Sequence, residues 1–189
     1  MDRALIVSGT EKSTTLFKEI LTAASIHDIT ALPTCGEARR HMVERDFDLV
    51  LISAPLKDET GERLARQVAG NGVAQVILVV GAEYFDAISA VCESDGVLVV
   101  SKPLNRAVFW SALTLAKSAQ SRVLKMKEEN RKLKKTIEDI RFIDRAKYLL
   151  ISHLQMSEQD AHRYIEKQAM DLRISRREVA ERILKTYEM

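Results

Sequence analysis

The residues best equipped for chemistry lie near the C-terminus, where Arg145, Lys147 and the aromatic Tyr148 fall within one short stretch and Arg176-Arg177 fall in another. Ammonium and guanidinium groups gathered there suit an anionic partner. They do not suit bond-breaking. No nucleophile, base and orienting group can be assembled from the remaining residues, so an enzyme is not expected. Cys35 and Cys92 are too far apart for a metal knuckle or a redox pair, and the four histidines form no HExxH pattern. Neither a metal nor a cofactor is implied.

Charge is distributed unevenly. Residues 1–121 hold 12 Lys and Arg against 15 Asp and Glu, while residues 122–189 hold the remaining 17 against 12, so the formal net charge of +2 conceals a basic C-terminal end. The apolar runs, such as Val76 to Val80, are too short to span a bilayer. The N-terminus also lacks a signal-like segment, so a cytoplasmic protein without a membrane partner is expected.

The elements that must position these cations read clearly. Short apolar runs at Ala4–Val7, Ile29–Leu32, Leu49–Ile52, Val76–Val80 and Val97–Val100 alternate with helical patterns at 14–24, 36–45, 61–68, 84–92 and beyond Asn105. Five βα units whose strands are apolar on both faces predict a parallel sheet covered by helices on each side.

From Asn105 onward the chain contains no Pro or Gly. Within it, Val123, Met126, Asn130, Leu133, Ile137 and Ile140 follow alternating steps of three and four, a heptad with Val123, Asn130 and Ile137 at a and Met126, Leu133 and Ile140 at d. Asn at an a position favours a parallel two-stranded coil, because it pairs with its symmetry mate. Glu129 and Lys134 would attract across the seam, and Arg122 and Lys127 would repel. A parallel homodimer is expected, the alternative being that the stripe packs against the chain's own first domain.

The last 48 residues, Phe142 to Met189, predict three short helices. One continues the heptad helix and buries one face from Phe142 to His153. A second starts at Ser157 and partly buries Ala161, Tyr164, Ile165, Gln168, Ala169 and Leu172. The third starts at Ser175, where S-R-R-E places Glu178 to complete a capping box.

The N-terminal half resembles the receiver domain of two-component response regulators. That family carries an acidic pair after the first strand, a phospho-accepting Asp at the end of the third, a hydroxyl residue after the fourth and Lys-Pro after the fifth. This chain has Ser8 and Gly9, then Ser53, then Gly81, and keeps only Lys102-Pro103. Phosphoryl transfer needs a carboxylate nucleophile and carboxylate oxygens around a hard cation. The expected domain is therefore a flavodoxin-like pseudo-receiver with no phospho-acceptor, controlled instead by a protein partner or ligand. Asp58, in the loop after the third strand, is the one nearby carboxylate that could substitute.

The C-terminal segment resembles the ANTAR domain, an RNA-binding module of bacterial transcription antiterminators. The likeness rests on RAK at 145–147, MSEQDAHRYI at 156–165, KQAM at 167–170 and SRREVAERIL at 175–184, with alanines at 146, 161, 169 and 180. It implies binding to tandem RNA hairpins in a nascent transcript, which prevents formation of a terminator stem. Arg145, Ala146, Lys147, Tyr148, Arg176 and Arg177 would form the RNA-binding set, with Ala146 letting a base approach closely and Tyr148 offering a stacking surface.

The expected layout is a pseudo-receiver at 1–118, a coiled-coil linker at 119–141 and an all-α three-helix ANTAR bundle at 142–189. A DNA-binding response regulator and a protein-interaction adaptor are the alternatives. The first would need a helix-turn-helix with its usual Gly-containing turn, and no Gly occurs there.

Overall fold

The computed structural model describes residues 1–72 and 74–187. Strands β1 (Arg3–Ser8), β2 (Asp28–Leu32), β3 (Leu49–Ser53), β4 (Gln75–Gly81) and β5 (Leu98–Lys102) alternate with helices α1 (Glu11–Ala23), α2 (Cys35–Glu44), α3 (Glu62–Gly70) and α4 (Phe85–Cys92). A single helix, α5 (Arg106–Leu154), then leads to α6 (Glu158–Leu172) and α7 (Arg176–Tyr187). All strand pairs are parallel, in the order β2-β1-β3-β4-β5. The expected five βα units are present. The fifth strand starts one residue later than hydropathy suggested and runs on to Lys102, because Ser101 and Lys102 pair with Val80 and Gly81.

Alternation along the strands builds two cores. Leu5, Val7, Val50, Ile52, Leu78 and Val80 face α2, α3 and α4, while Ala4, Ile6, Leu49, Leu51, Ile77 and Val79 face α1 and α5. On the second side Phe17 of α1 stacks on Phe109 of α5 with centroids 5.6 Å apart. Gly61 opens α3 at φ +86°, and a Cβ there would lie 2.8 Å from Ile52 Cγ2, so only glycine fits.

Asn105 starts α5 by accepting the amides of Ala107 at 2.8 Å and Val108 at 3.3 Å. Helix α5 runs through both of the linker bounds expected from sequence. Two compact units nonetheless exist, 1–125 and 126–189, and the last two residues of the expected 142–189 module lie outside the described residues.

Near the end of its stay in the first unit, α5 contributes the buried Gln120, whose amide donates to Asp48 Oδ1 at 2.9 Å. Asp48 Oδ2 also accepts the amides of Asp2 at 2.6 Å and Arg3 at 3.1 Å. Burial alone would raise the Asp48 carboxyl, but these hydrogen bonds outweigh it and hold it below the usual carboxylate range. A carboxyl depressed in the folded state stabilises fully above its unfolded value and loses that contribution as pH falls through the folded one. Asp48→Asn should therefore cost about 1 kcal/mol at neutral pH once solvent screening is allowed for. In urea titrations the gap between the two proteins should close as the solution is acidified below the carboxylate range.

Candidate functional site

The strand ends of the first unit hold Ser8, Gly9, Ser53, Gly81 and Lys102, the positions to which the receiver resemblance points. Ser8 and Ser53 are neighbours across β1 and β3, and both are buried. They flank the point where strand order reverses, the usual ligand crevice of an open parallel sheet. Ser8 Oγ donates to the Thr10 carbonyl at 3.2 Å. Beside Gly9 there is open space. Gly81 pairs with Lys102, and a Cβ on it would meet the Glu83 carboxylate at 2.7 Å, so the missing side chain makes room for Glu83 to fold back. Lys102 precedes a cis Pro103 and donates its Nζ to the Ala54 carbonyl. Burial pulls Lys102 below the usual lysine range, with the Glu83 charge opposing.

Asp58 is committed elsewhere. Its two carboxylate oxygens accept the amides of Cys35 at 3.2 Å and Gly36 at 2.9 Å, at the start of α2, where Thr34 accepts the Glu37 amide as well. Burial raises and the amides lower its carboxyl, and the amides win. Cys35, Asp58 and Glu59 place ligand atoms within 4.8 Å of one another. The Asp58 oxygens hold the helix, Glu59 pairs with Arg39, and burial pushes the Cys35 thiol up to about 12, so this group acts as a helix anchor.

The second unit is a three-helix bundle formed by the end of α5, α6 and α7 around Ala146, Leu150, Ala161, Ile165, Ala169, Val179, Ala180 and Ile183. Three of the alanines that carry the family likeness, 146, 161 and 180, have no exposed surface. Both expected caps form: Ser157 Oγ accepts the Asp160 amide at 3.2 Å, and Glu178 accepts the Ser175 amide at 2.8 Å while Ser175 Oγ accepts the Glu178 amide at 3.2 Å. Arg173 closes α6 at φ +54°, a position glycine often takes. Tyr164 and Leu172, expected to be partly buried, are instead exposed because they fall on the outer edge of α6.

The structure separates the expected RNA-binding set into two groups. Tyr148 is 69% exposed, and Arg145 also lies on the surface. Lys147 Nζ sits 2.8 Å from Asp144 and 3.5 Å from Glu158, and the Asp144 hydrogen bond raises its pKa above the ordinary lysine value. Arg176 donates to Glu166 Oε1 at 3.1 Å.

Of the other two residues, Ala146 is corrected and Arg177 is engaged within the fold. Ala146 lies wholly within the helix contact, so it admits a close helix and not a base. Arg177 donates to Asp139 Oδ1 at 2.7 Å and Glu181 Oε1 at 2.9 Å, with its guanidinium 4.4 Å from the centre of the Phe142 ring, a bracket that ties α7 to α5.

Sequence reading missed His162, Arg163 and Glu166, which join Lys147 in lining a cavity of about 330 Å³ between α5 and α6. Glu166 bridges His162 at 3.3 Å and Arg176 at 3.1 Å. Their i, i+1, i+4 spacing on the polar side of α6 was the available signal.

Along α5, Met126, Leu133, Ile137 and Ile140 are each more than half exposed. Val123 is half-buried and Asn130 exposed. No helix among the described residues is long and apolar enough to cross a membrane.

Residues 131–184 match the family model of the ANTAR domain. The chain is 26% identical over 139 residues to the transcriptional regulatory protein PdtaR of Mycobacterium tuberculosis, in both strain CDC 1551 and strain H37Rv, covering 74% of this chain and 68% of that protein. The first unit shares its fold with a CheY-like response regulator receiver domain from Methanospirillum hungatei JF-1 (TM-score 0.57, 21% identity, 65% of this chain and 98% of that one). It also shares it with the signal receiver domain of an HD domain-containing protein from Pseudomonas fluorescens Pf-5 (TM-score 0.56, 19% identity, 67% and 92%).

The two adjacent arginines should separate cleanly by experiment. Arg177→Ala should lower the thermal unfolding midpoint followed by circular dichroism, with Arg177→Lys recovering only part of the loss because an ammonium cannot reproduce the fork. Arg176→Ala should leave the midpoint where it is.

Proposed function

We propose that this chain, a receiver-fold unit joined to an ANTAR domain, is an RNA-binding transcription antiterminator that recognises tandem hairpins in nascent mRNA and prevents terminator formation. The match of residues 131–184 to the ANTAR domain carries the reading. The mycobacterial relative, a transcriptional regulatory protein, agrees with it.

The contact face consists of Tyr148, Arg145, Lys147 and Arg176. An exposed phenol ring offers an unpaired loop base a stacking surface, and the neighbouring cations meet the phosphates around it. Arg176 stands at the first turn of α7, where free amides and the helix dipole also favour an anion. The protein acts as a parallel homodimer. Pairing two copies of α5 buries the exposed a and d side chains, and Asn130 against its mate fixes the register, so two RNA-binding units are held together for two hairpins.

The receiver-fold unit works without aspartyl phosphorylation. Ser53 ends β3 where the nucleophile would stand, Ser8 and Gly9 offer no carboxylate for a cation, and Asp58 spends its oxygens on α2. A protein partner or a ligand at this unit supplies the signal in its place.

Two outcomes are expected. In gel-shift titrations at low salt the full chain should bind a paired-hairpin RNA, and Lys147→Ala or Arg176→Ala should each weaken binding about tenfold, the loss of one charge-assisted contact. No binding by the wild type would refute the reading. Acetyl phosphate with Mg²⁺ should leave sedimentation and RNA affinity unchanged. A phosphorylated Asp58 would instead show that the receiver site had been misplaced.

A further inference from the structure

Helix α5 is electrically lopsided about its apolar seam. Between Lys127 and Tyr148, the flank formed by the heptad e and b positions carries Lys127, Arg131, Lys134, Arg141 and Arg145, interrupted once by Glu138. Over the same span the opposite flank, formed by the g and c positions, carries Lys132 against Glu129 and Asp139, and so has no cationic excess. Steps of four and three keep the cations of the first flank in one nearly straight row, all of them exposed. Lys127, Lys134 and Arg141, the e residues nearest the seam, have no ion pair among the described residues. The next e residue is Tyr148, so the row leads directly into the aromatic of the proposed RNA face.

We infer that this row is a second RNA-binding surface, a track for the sugar-phosphate backbone of the stem beneath the recognised loop. The inference rests on the RNA-binding reading above. A coil needing only solubility would mix its charges on both flanks, as the g and c side does. A coil using e residues to select its mate would oppose them with carboxylates at g, yet the g residues facing these three are Arg122, Glu129 and Thr136, of which only Glu129 is acidic.

Within one chain these three cations, seven residues apart, have no ion pair, and across the seam only Lys134 faces a carboxylate, Glu129, so Lys127 and Arg141 are left for an external anion. Their continuity with Tyr148 identifies it as the nucleic acid held there. From Lys127 to Tyr148 the row extends about 32 Å at 1.5 Å per residue, enough to follow a stem and not only its loop. In a parallel dimer the two-fold axis places one such row on each side of the coil, giving each hairpin its own track.

The test compares two double variants of the full chain with equal net charge, Lys127→Gln/Lys134→Gln on the track and Lys125→Gln/Lys132→Gln on the opposite flank. All four residues are exposed, and sedimentation and thermal melting establish that both variants remain folded and keep the wild-type oligomeric state. Binding is titrated against salt with two RNAs: paired hairpins with a full helical turn of stem, and the same loops with only their closing pairs.

The track variant should lose about tenfold in affinity for the long-stem RNA and reduce its salt slope by one to two, roughly 0.7–0.9 per lost phosphate contact. The opposite-flank variant should stay near wild type, and the two variants should bind the short-stem RNA alike. If they weaken long-stem binding equally, or if the track variant loses as much on the short-stem RNA, the track is overturned while the RNA-binding reading stands. If the wild type binds neither RNA, the reading beneath it falls as well.

Discussion

The structure depends on α5 being one helix that buries a different face in each part of its length. A helix of 49 residues gains little from its own hydrogen bonds once entropy is charged against them, so it is held by what its side chains pack on. Phe109, Leu113 and Ala116 pack into the first core, and Ala146 and Leu150 pack into the second. The apolar residues between them are left to solvent in the single chain. Exposure of that many large side chains at heptad spacing has a hydrophobic cost that burial of the face would remove. The same helix that completes two folded units therefore also carries the unsatisfied surface.

The two ends of the chain handle charge in opposite ways. At the strand ends of the first unit stand hydroxyls and glycines, Ser8, Gly9, Ser53 and Gly81, and the carboxylates nearby serve the fold: Asp58 anchors α2, and Glu59 holds Arg39. Gly81 goes with Glu83, since any side chain on it would displace that carboxylate. An intact phosphorylation site keeps its carboxylates bare so that a cation can neutralise them. Here Asp58 and Glu59 are engaged within the fold, and Lys102 has a backbone carbonyl as its hydrogen-bond partner.

Much of this was legible in the sequence, and what was missed has a common cause. Strands, helices, the heptad and both serine caps depend on residues within a few positions of one another, and periodicity reports them directly. The anchor at Asp58 spans 22 and 23 residues, and the Arg177 contact with Asp139 spans 38, so neither follows from local pattern. Arg177 looked like its neighbour Arg176 because the two share a sequence context. They differ in the direction each side chain leaves α7, which only the packing of α7 on α5 decides. Ala146 was ambiguous for the same reason: a small residue permits close approach, but sequence does not say by what.

The division between those arginines also governs how the RNA face can work. Arg176 is held by the exposed Glu166, and a pair of that kind contributes little, typically below about 1 kcal/mol, because water screens it, while Lys147, its side chain only 17% exposed, is held by the two exposed carboxylates Asp144 and Glu158. A phosphate arriving at such a pair replaces one weak partner with another of greater charge, so the exchange is favourable and salt-sensitive. Arg177 is held by two carboxylates and an aromatic ring from two helices, and removing it would loosen the bundle that positions the others. Internal carboxylates thus keep the cations of the proposed RNA face ordered without competing strongly with an incoming anion. A module of this size, with a small core and many surface charges, has few other ways to preorganise a face that must remain both soluble and available.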